Sequence, residues 1–151
     1  MPTHYKGPKR RRAVLDAYIK LMRASGAVHG RTGRIAREYG LTQSQFGVME
    51  TLRHIGPLNQ RMVGEKLFFT EGNVNHVVKN LEKRGLLKRE RDEYDARSMV
   101  LTLTTKGNKL IDQAFEAYVD ELVDGFAALS EAETVTLDKL LRKLGIHARS
   151  F

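Results

Sequence analysis

The chain has 151 residues, and 26 Lys or Arg against 18 Asp or Glu give it a formal net charge of +8. This length fits one folded domain, and 41% hydrophobic with 29% charged residues is a globular composition rather than a disordered one. The absence of cysteine excludes disulfides, thiolate nucleophiles and cysteine-type zinc sites. No apolar stretch is long enough for a membrane helix or a secretory signal, so we expect a cytoplasmic protein with no membrane partner.

Positive charge is concentrated at the front of the chain. Residues 1–39 carry a net charge of +8, whereas residues 107–151 carry −3. This asymmetry favours one side that faces a polyanion and a separate side with another use. Residues 1–9 are interpreted as a basic N-terminal arm, which is either a solvated tail or a segment that contacts phosphates.

Two short helices are predicted in the middle of the chain. Thr42 and Gln45 form a T-x-x-Q capping box that starts a helix over residues 43–55, and a Gly-Pro pair ends it. A second helix is predicted over residues 60–67. The side chains expected to face the core are Phe46, Met49, Leu52 and Ile55 in the first helix and Met62, Val63 and Leu67 in the second.

A third helix is predicted over residues 71–84, between the N-cap Thr70 and Gly85. Its apolar side chains lie within about 100° of arc and form one buried stripe, made of Val74, Val77, Val78 and Leu81. The opposite face bears amides, an imidazole and ammonium groups. Its residues are Gly72, which has no side chain, and Asn73, Asn75, His76, Lys79, Asn80 and Lys83. Two short helices joined tightly, the second exposing hydrogen-bonding side chains, are typical of a helix-turn-helix.

The hydrophobic period changes from 3.6 to 2 after Gly85, which predicts a β-hairpin. Its strands are expected over residues 86–91 and 99–103, with a loop over residues 92–97. Because the hairpin directly follows the helix-turn-helix, we interpret it as a wing. Its cations are Lys88, Arg89, Arg91 and Arg97.

Helical patterns flank this unit on both sides. A long helix follows the Thr104-Thr105 pair, and a last helix opens at a second capping box, Ser130 and Glu133, and is expected to end at Gly145. Three glycines leave the length of the first helix open, because each costs about 1 kcal/mol in a helix interior. The apolar stripes are Val14, Tyr18 and Met22; Ile111, Phe115, Tyr118, Leu122 and Phe126; and Leu137, Leu140, Leu141 and Leu144. Their simplest use is packing against a second copy.

The stretch from Leu41 to Gly107 resembles the winged helix-turn-helix of the MarR family, the multiple antibiotic resistance regulators. The order and spacing of its motifs carry the resemblance: Gly40-Leu41-Thr42, Gln45-Phe46, Gly56-Pro57-Leu58, Gly72-Asn73-Val74, the run from Leu81 to Arg89, Asp95-Ala96-Arg97-Ser98 and Leu103-Thr104-Thr105-Lys106-Gly107. It implies a mainly α fold with a small β-hairpin wing. Residues 41–106 would form the DNA-binding lobe, and residues 10–39 with 107–146 the dimerisation helices.

The resemblance also implies where DNA binds. The helix after Thr70 would enter the major groove. Arg97, held by Asp95, would enter the minor groove. Ala96 stands where family wings often carry a second arginine. An asparagine amide can make a bidentate contact to adenine, and an arginine fits a narrow minor groove. A helix N-terminus attracts a phosphate. The predicted contacts are Thr70, Gly72, Asn73, Asn75, His76, Lys79 and Lys83 on the helix and Arg89, Arg91, Asp95 and Arg97 on the wing.

A small organic effector is a further implication of the resemblance, lodged between the dimerisation helices and the DNA-binding lobe. The residues that would line its pocket are His29, Tyr39, Phe46 and Met49. Aromatic and methionine side chains at helical spacing are equally typical of ordinary core packing, so both interpretations stay open.

No motif for catalysis, a metal or a cofactor stands out. The histidines lack the spacing of metal ligands, and Gly30-Arg31-Thr32-Gly33 is not a P-loop. The sequence therefore predicts no catalysis, and the resemblance to the MarR family implies a sequence-specific regulator that binds double-stranded DNA as a homodimer on a palindromic operator, as a repressor that a small molecule releases. The alternative is a winged helix used for non-specific nucleoid binding or protein contact, in which His76 is an ordinary solvated side chain.

Overall fold

A computed structural model of the protein describes residues 4–149, so the first part of the predicted N-terminal arm lies outside the described residues. This part of the chain is mainly helical with one small antiparallel sheet, which confirms the predicted fold class. The elements in chain order are α1 (Lys9–Glu38), α2 (Gln43–Ile55), β1 (Leu58–Asn59), α3 (Gln60–Leu67), α4 (Glu71–Lys83), β2 (Leu87–Arg91), β3 (Met99–Leu103), α5 (Thr105–Gly125) and α6 (Glu131–Ala148).

The sheet contains a strand that the sequence pattern did not predict. β1 pairs antiparallel with β3, with Leu58 opposite Leu101, and β2 pairs with the other edge of β3. A strand of two residues has no measurable period, so only its non-local pairing reveals it. β2 also starts one residue later than predicted, because the Leu86 N–H donates to the Leu81 carbonyl at 3.0 Å and closes the end of α4.

The core lies between α2, α4, the sheet and the first half of α5. The four predicted stripe residues of α4 are all buried, as are Phe46, Met49 and Leu52 of α2. The prediction was wrong for Ile55 and Met62, which are 53% and 46% exposed. Ile55 is the last residue of its helix, and Met62 is one step of about 100° away from the fully buried Val63.

Helix ends follow the predicted capping chemistry at two places and depart from it at a third. The Thr42 hydroxyl accepts the Gln45 N–H at 3.1 Å, and the Gln45 Oε1 accepts the Thr42 N–H at 3.0 Å. Ser130 and Glu133 make the same reciprocal pair. The expected stop at Gly145 was wrong, since α6 continues to Ala148. A glycine in helical conformation costs only about 1 kcal/mol and does not by itself end a helix.

Ion pairs tie α5 to α1 and α2. Glu121 accepts from Arg31 Nε at 2.6 Å and from Arg34 Nη2 at 3.2 Å, and its side chain is only 12% exposed. The hydrogen bond from Arg31 holds the pKa of Glu121 below its ordinary value. Arg53 of α2 donates through two nitrogens to Asp112 of α5, at 2.6 and 3.3 Å.

The terminal helices leave apolar faces uncovered. No described residue of α6 is buried, and Val14, Tyr18 and Met22 of α1 are all exposed. None of the helices within residues 4–149 has both the length and the apolar character required to span a bilayer.

The start of α5 packs directly on the turn between α4 and β2. The Thr104 hydroxyl donates to the Gly85 carbonyl at 2.7 Å and accepts the Gly107 N–H at 3.0 Å. A Cβ at Gly107 would lie 1.9 Å from the Leu86 carbonyl oxygen, which is backbone and cannot swing away. Glycine is therefore required at this position by the close approach of two chain segments.

We expect Gly107→Ala to lower the free energy of unfolding by about 3 kcal/mol, because α5 must move away from Leu86. Chemical denaturation without DNA measures the change. Gly72→Ala is the matched control: a Cβ there meets nothing within 4 Å, so the helical position should be neutral or stabilised by up to about 1 kcal/mol. Equal stability of the two variants would contradict the close approach.

Glu121 makes the stability of the protein pH-dependent. A carboxylate with a lowered pKa stabilises the folded state above its ordinary value of 4.5, and this contribution is lost as the pH falls through the lowered folded-state pKa. We expect Glu121→Gln to lower Tm at pH 7 and the difference from the unsubstituted protein to shrink below about pH 4. Glu116→Gln, at an exposed position of the same helix, is the control. A difference that does not change with pH would contradict the ion pair.

Candidate nucleic-acid interface

Helix α4 presents one continuous polar face to solvent. Opposite its buried stripe lie Gly72, His76, Lys79 and Lys83, all exposed. Asn73 lies on the flank nearer α2, and the half-buried Asn75 lies on the flank nearer the wing. The helix begins at the predicted N-cap, where the Thr70 hydroxyl accepts the Asn73 N–H at 3.3 Å. The structure thus brings the predicted recognition residues together on one element.

One acidic residue of α4 was missed by the sequence reasoning. Glu71 is the first residue of the helix and is exposed. Its carboxylate suits the positive end of the helix dipole, which is a sufficient structural reason for an acid at this position. It also places negative charge beside the predicted DNA-contacting face.

Polar contacts hold α4 on both flanks. On the α2 side, Gln45 Nε2 donates to Asn80 Oδ1 at 2.7 Å, and Arg84 Nη1 donates to Gln45 Oε1 at 3.2 Å. On the wing side, Arg89 Nη2 lies 3.2 Å from Glu82 Oε2. Arg89, predicted to contact DNA, is only 23% exposed and faces an acid of α4. The signal for this pairing was the Glu82 carboxylate on the flank of α4 nearest β2.

The wing loop is organised by two aspartates. Asp92 Oδ1 accepts the N–H groups of Tyr94 and Asp95, at 2.7 and 3.1 Å. Asp95 Oδ1 accepts the backbone N–H of Arg97 at 3.0 Å. The contact expected between Asp95 and Arg97 is therefore made to the backbone, and the exposed Arg97 side chain projects from an ordered turn. Arg91, at the end of β2, is also exposed.

A groove of about 730 Å³ runs between α3, the start of α4 and the wing. The charged side chains of its wall are three acids and two arginines: Glu65, Glu71, Asp95, Arg61 and Arg97. None of the four residues predicted to line an effector pocket takes part in it.

Those four residues have different environments. Phe46 and Met49 are buried in the core, and the Phe46 ring stacks on Tyr118 with centroids 4.4 Å apart. Tyr39 packs at the edge of the core, whereas His29 is exposed on α1, with its Nδ1 3.1 Å from Gln43 Nε2. In this conformation Phe46 and Met49 are core residues.

Comparison with known proteins identifies the family. The family model described as transcriptional regulator SarA/Rot matches residues 32–114, more than half of the chain, from the end of α1 into α5. The chain belongs to this family. It is a transcriptional regulator of the MarR/SarA type with a DNA-binding winged helix, as the sequence motifs indicated.

Similar proteins extend the match to nearly the whole chain. The HTH-type transcriptional regulator YkoM of Bacillus subtilis is 34% identical over 136 residues, which cover 90% of this chain and 88% of YkoM. AbsC, a MarR family transcriptional regulator from Streptomyces coelicolor, has the same fold, with a TM-score of 0.85, 17% identity and coverage of 99% and 100%. BpsR of Bordetella bronchiseptica, whose DNA binding is regulated by 6-hydroxynicotinic acid, is 27% identical, with a TM-score of 0.78 and coverage of 85% and 98%.

The wing of this MarR-type regulator should depend on Asp92. We expect Asp92→Ala to free the amides of Tyr94 and Asp95 and to speed tryptic cleavage after Arg97, because one carboxylate oxygen accepts both N–H groups. The loss of global stability should be small, about 1 kcal/mol. Glu93→Ala, at an exposed loop position, is the control and should leave cleavage unchanged. Equal cleavage of both variants would show that Asp92 does not order the loop.

Proposed function

We propose that this regulator is a homodimer that binds an inverted-repeat operator sequence-specifically and represses transcription from it until a small organic ligand releases it. The observation that supports this most directly is the exposed polar face of α4. It lies beside a wing whose hydrogen-bonded loop carries the exposed Arg97 side chain. On this proposal the protein acts by binding DNA. It catalyses no reaction and uses neither a cofactor nor a metal.

The exposed apolar faces of α1 and α6 support the dimer. Val14, Tyr18 and Met22 repeat every four residues on α1, and Leu140 and Leu144 repeat in the same way on α6. Exposed stripes of this kind mark interaction surfaces, and a second copy of the chain covers both with one symmetric contact. Two-fold symmetry presents two α4 helices to DNA and predicts half-sites about one helical turn apart.

The chemistry of α4 supports base recognition. An Asn75 amide can make a bidentate contact to adenine, and His76 can donate to or accept from a base edge. The ammonium groups of Lys79 and Lys83 suit phosphates, and Arg97 suits a narrow minor groove. A surface used only for non-specific attraction needs cations but has no use for amide side chains.

A dimer seated on an operator excludes other proteins from the same DNA. The regulation of BpsR by 6-hydroxynicotinic acid supports a planar organic acid as the class of ligand. In this chain the ligand would bind between the dimerisation helices and the DNA-binding lobe, near His29 and Tyr39.

Selection of binding sites from a random duplex pool at about 0.15 M salt tests the proposal, because non-specific phosphate attraction is weak at that ionic strength. We expect an inverted repeat with half-site centres one helical turn apart. Recovery of no consensus, with binding that vanishes as salt rises, would favour the alternative of non-specific nucleoid binding or protein contact.

Substitutions separate base readers from phosphate contacts. We expect Asn75→Ala and His76→Ala to change the selected sequence, whereas Lys79→Ala and Arg97→Ala weaken all complexes and each lower the salt slope by about one. Lys139→Ala, which removes an exposed cation of α6, is the control and should change neither quantity. Equal loss of affinity on every DNA for all four variants would overturn the sequence-specific function.

A further inference from the structure

We infer that Gln45 and Arg89 are positioning residues that fix the rotation of α4 about its own axis, and so determine which side chains reach the bases. This inference rests on the proposed sequence-specific function. It assigns to Arg89 a role different from the DNA contact that the sequence predicted.

The two contacts hold α4 from opposite sides. Asn80 and Glu82 are two residues apart and therefore about 200° apart around the helix axis. Asn80 is held by Gln45 of α2, at 2.7 Å, and Glu82 by Arg89 of β2, at 3.2 Å. Because the two contacts lie on nearly opposite sides of α4, rotation of the helix about its axis displaces both Asn80 and Glu82 from their partners. We call these two contacts the α4 clamp.

The Gln45 side of the clamp is rigid. Gln45 is 9% exposed, and its amide is used at both ends: Oε1 accepts from the Thr42 N–H and from Arg84, while Nε2 donates to Asn80. Its backbone N–H is held by the Thr42 hydroxyl. The side chain cannot turn away from α4 without breaking its half of the capping box and leaving a buried amide unpaired, which costs about 1–3 kcal/mol.

The Arg89 side is anchored through the sheet. Arg89 stands opposite the fully buried Leu101 and lies on the same strand face as the buried Leu87. This register directs its side chain toward α4 and the Glu82 carboxylate. A phosphate would have to displace a charge-assisted contact that is already formed and mostly covered.

The apolar stripe of α4 restrains large rotations of the helix, and the clamp restrains small ones. Val74 and its neighbours oppose a large rotation, which would expose them, but hydrophobic burial is non-directional and changes little over a small angle. A rotation of about 20° moves an atom about 6 Å from the axis by about 2 Å. Such a shift is enough to break a hydrogen bond to a base edge, whereas a flexible lysine still reaches its phosphate. Loss of the clamp should therefore reduce discrimination more than affinity.

The test compares Gln45→Ala with Thr42→Ala, because both break the capping box but only Gln45→Ala removes the contacts to Asn80 and Arg84. Kd is measured on the selected operator and on a scrambled duplex, at several salt concentrations. We expect Gln45→Ala to reduce the ratio of the two Kd values roughly tenfold, with an unchanged salt slope. Thr42→Ala should keep the ratio. Asn80→Ala, at an exposed position, gives the same test if Gln45→Ala folds poorly.

Arg89 is tested by exchanging its charge with that of its partner. Arg89→Ala should reduce the ratio in the same way, and the double variant Glu82→Arg with Arg89→Glu should restore most of it. A loss of affinity on both duplexes alike, with a salt slope lower by about one and no rescue by the exchange, would show that Arg89 contacts phosphate and would overturn its half of the clamp. A Gln45→Ala variant that behaves like Thr42→Ala would overturn the other half.

Hydrogen exchange of the α4 amides in the DNA-free protein separates the clamp from the proposed function. We expect faster exchange in Gln45→Ala and Arg89→Ala than in Thr42→Ala, whether or not an operator exists. If the unsubstituted protein shows no operator preference, the sequence-specific function is wrong. The exchange rates then still show whether the two clamp contacts restrain α4. Unchanged exchange in both variants overturns the clamp.

Discussion

The close contact between Gly107 and the Leu86 carbonyl joins the two halves of the molecule. Around it, Thr104 caps α5 while donating to Gly85, and Lys106 Nζ donates to the Arg84 carbonyl at 3.1 Å. These contacts hold the end of α4 and the start of the long helix α5 together as one rigid block. The orientation of α4 relative to α5 follows from this block, and the α4 clamp then sets its rotation.

The elements that sequence predicted well carry local signals. α2 begins at a capping box formed within four residues, and the buried stripe of α4 is complete within two turns. β1 and the continuation of α6 past Gly145 escaped prediction for different reasons. β1 exists only because Leu58 meets Leu101 across the sheet, and Gly145 keeps a helical backbone where its neighbours already form a helix.

In the candidate site, too, the sequence predicted the features that have a local signal and missed those that depend on contacts between distant residues. The polar face of α4 is the complement of its buried stripe, so predicting one predicts the other. The role of Arg89 was hidden, because an arginine on an alternating strand looks the same whether it faces solvent or the flank of a helix. The stacking of Phe46 on Tyr118 joins residues far apart in the chain, and a core aromatic has the same spacing as one that lines a ligand pocket.

Helix α5 runs unbroken for 21 residues, from Thr105 beside the Gly107 contact to Gly125. At about 1.5 Å per residue it is a stiff rod of about 30 Å. A tilt of about 5° at one end of such a rod displaces the other end by nearly 3 Å, close to the rise of one base pair along DNA, about 3.4 Å. In the proposed homodimer, a small change in how the two subunits meet at the far end of α5 would therefore move the two α4 helices relative to each other by nearly the rise of one base pair.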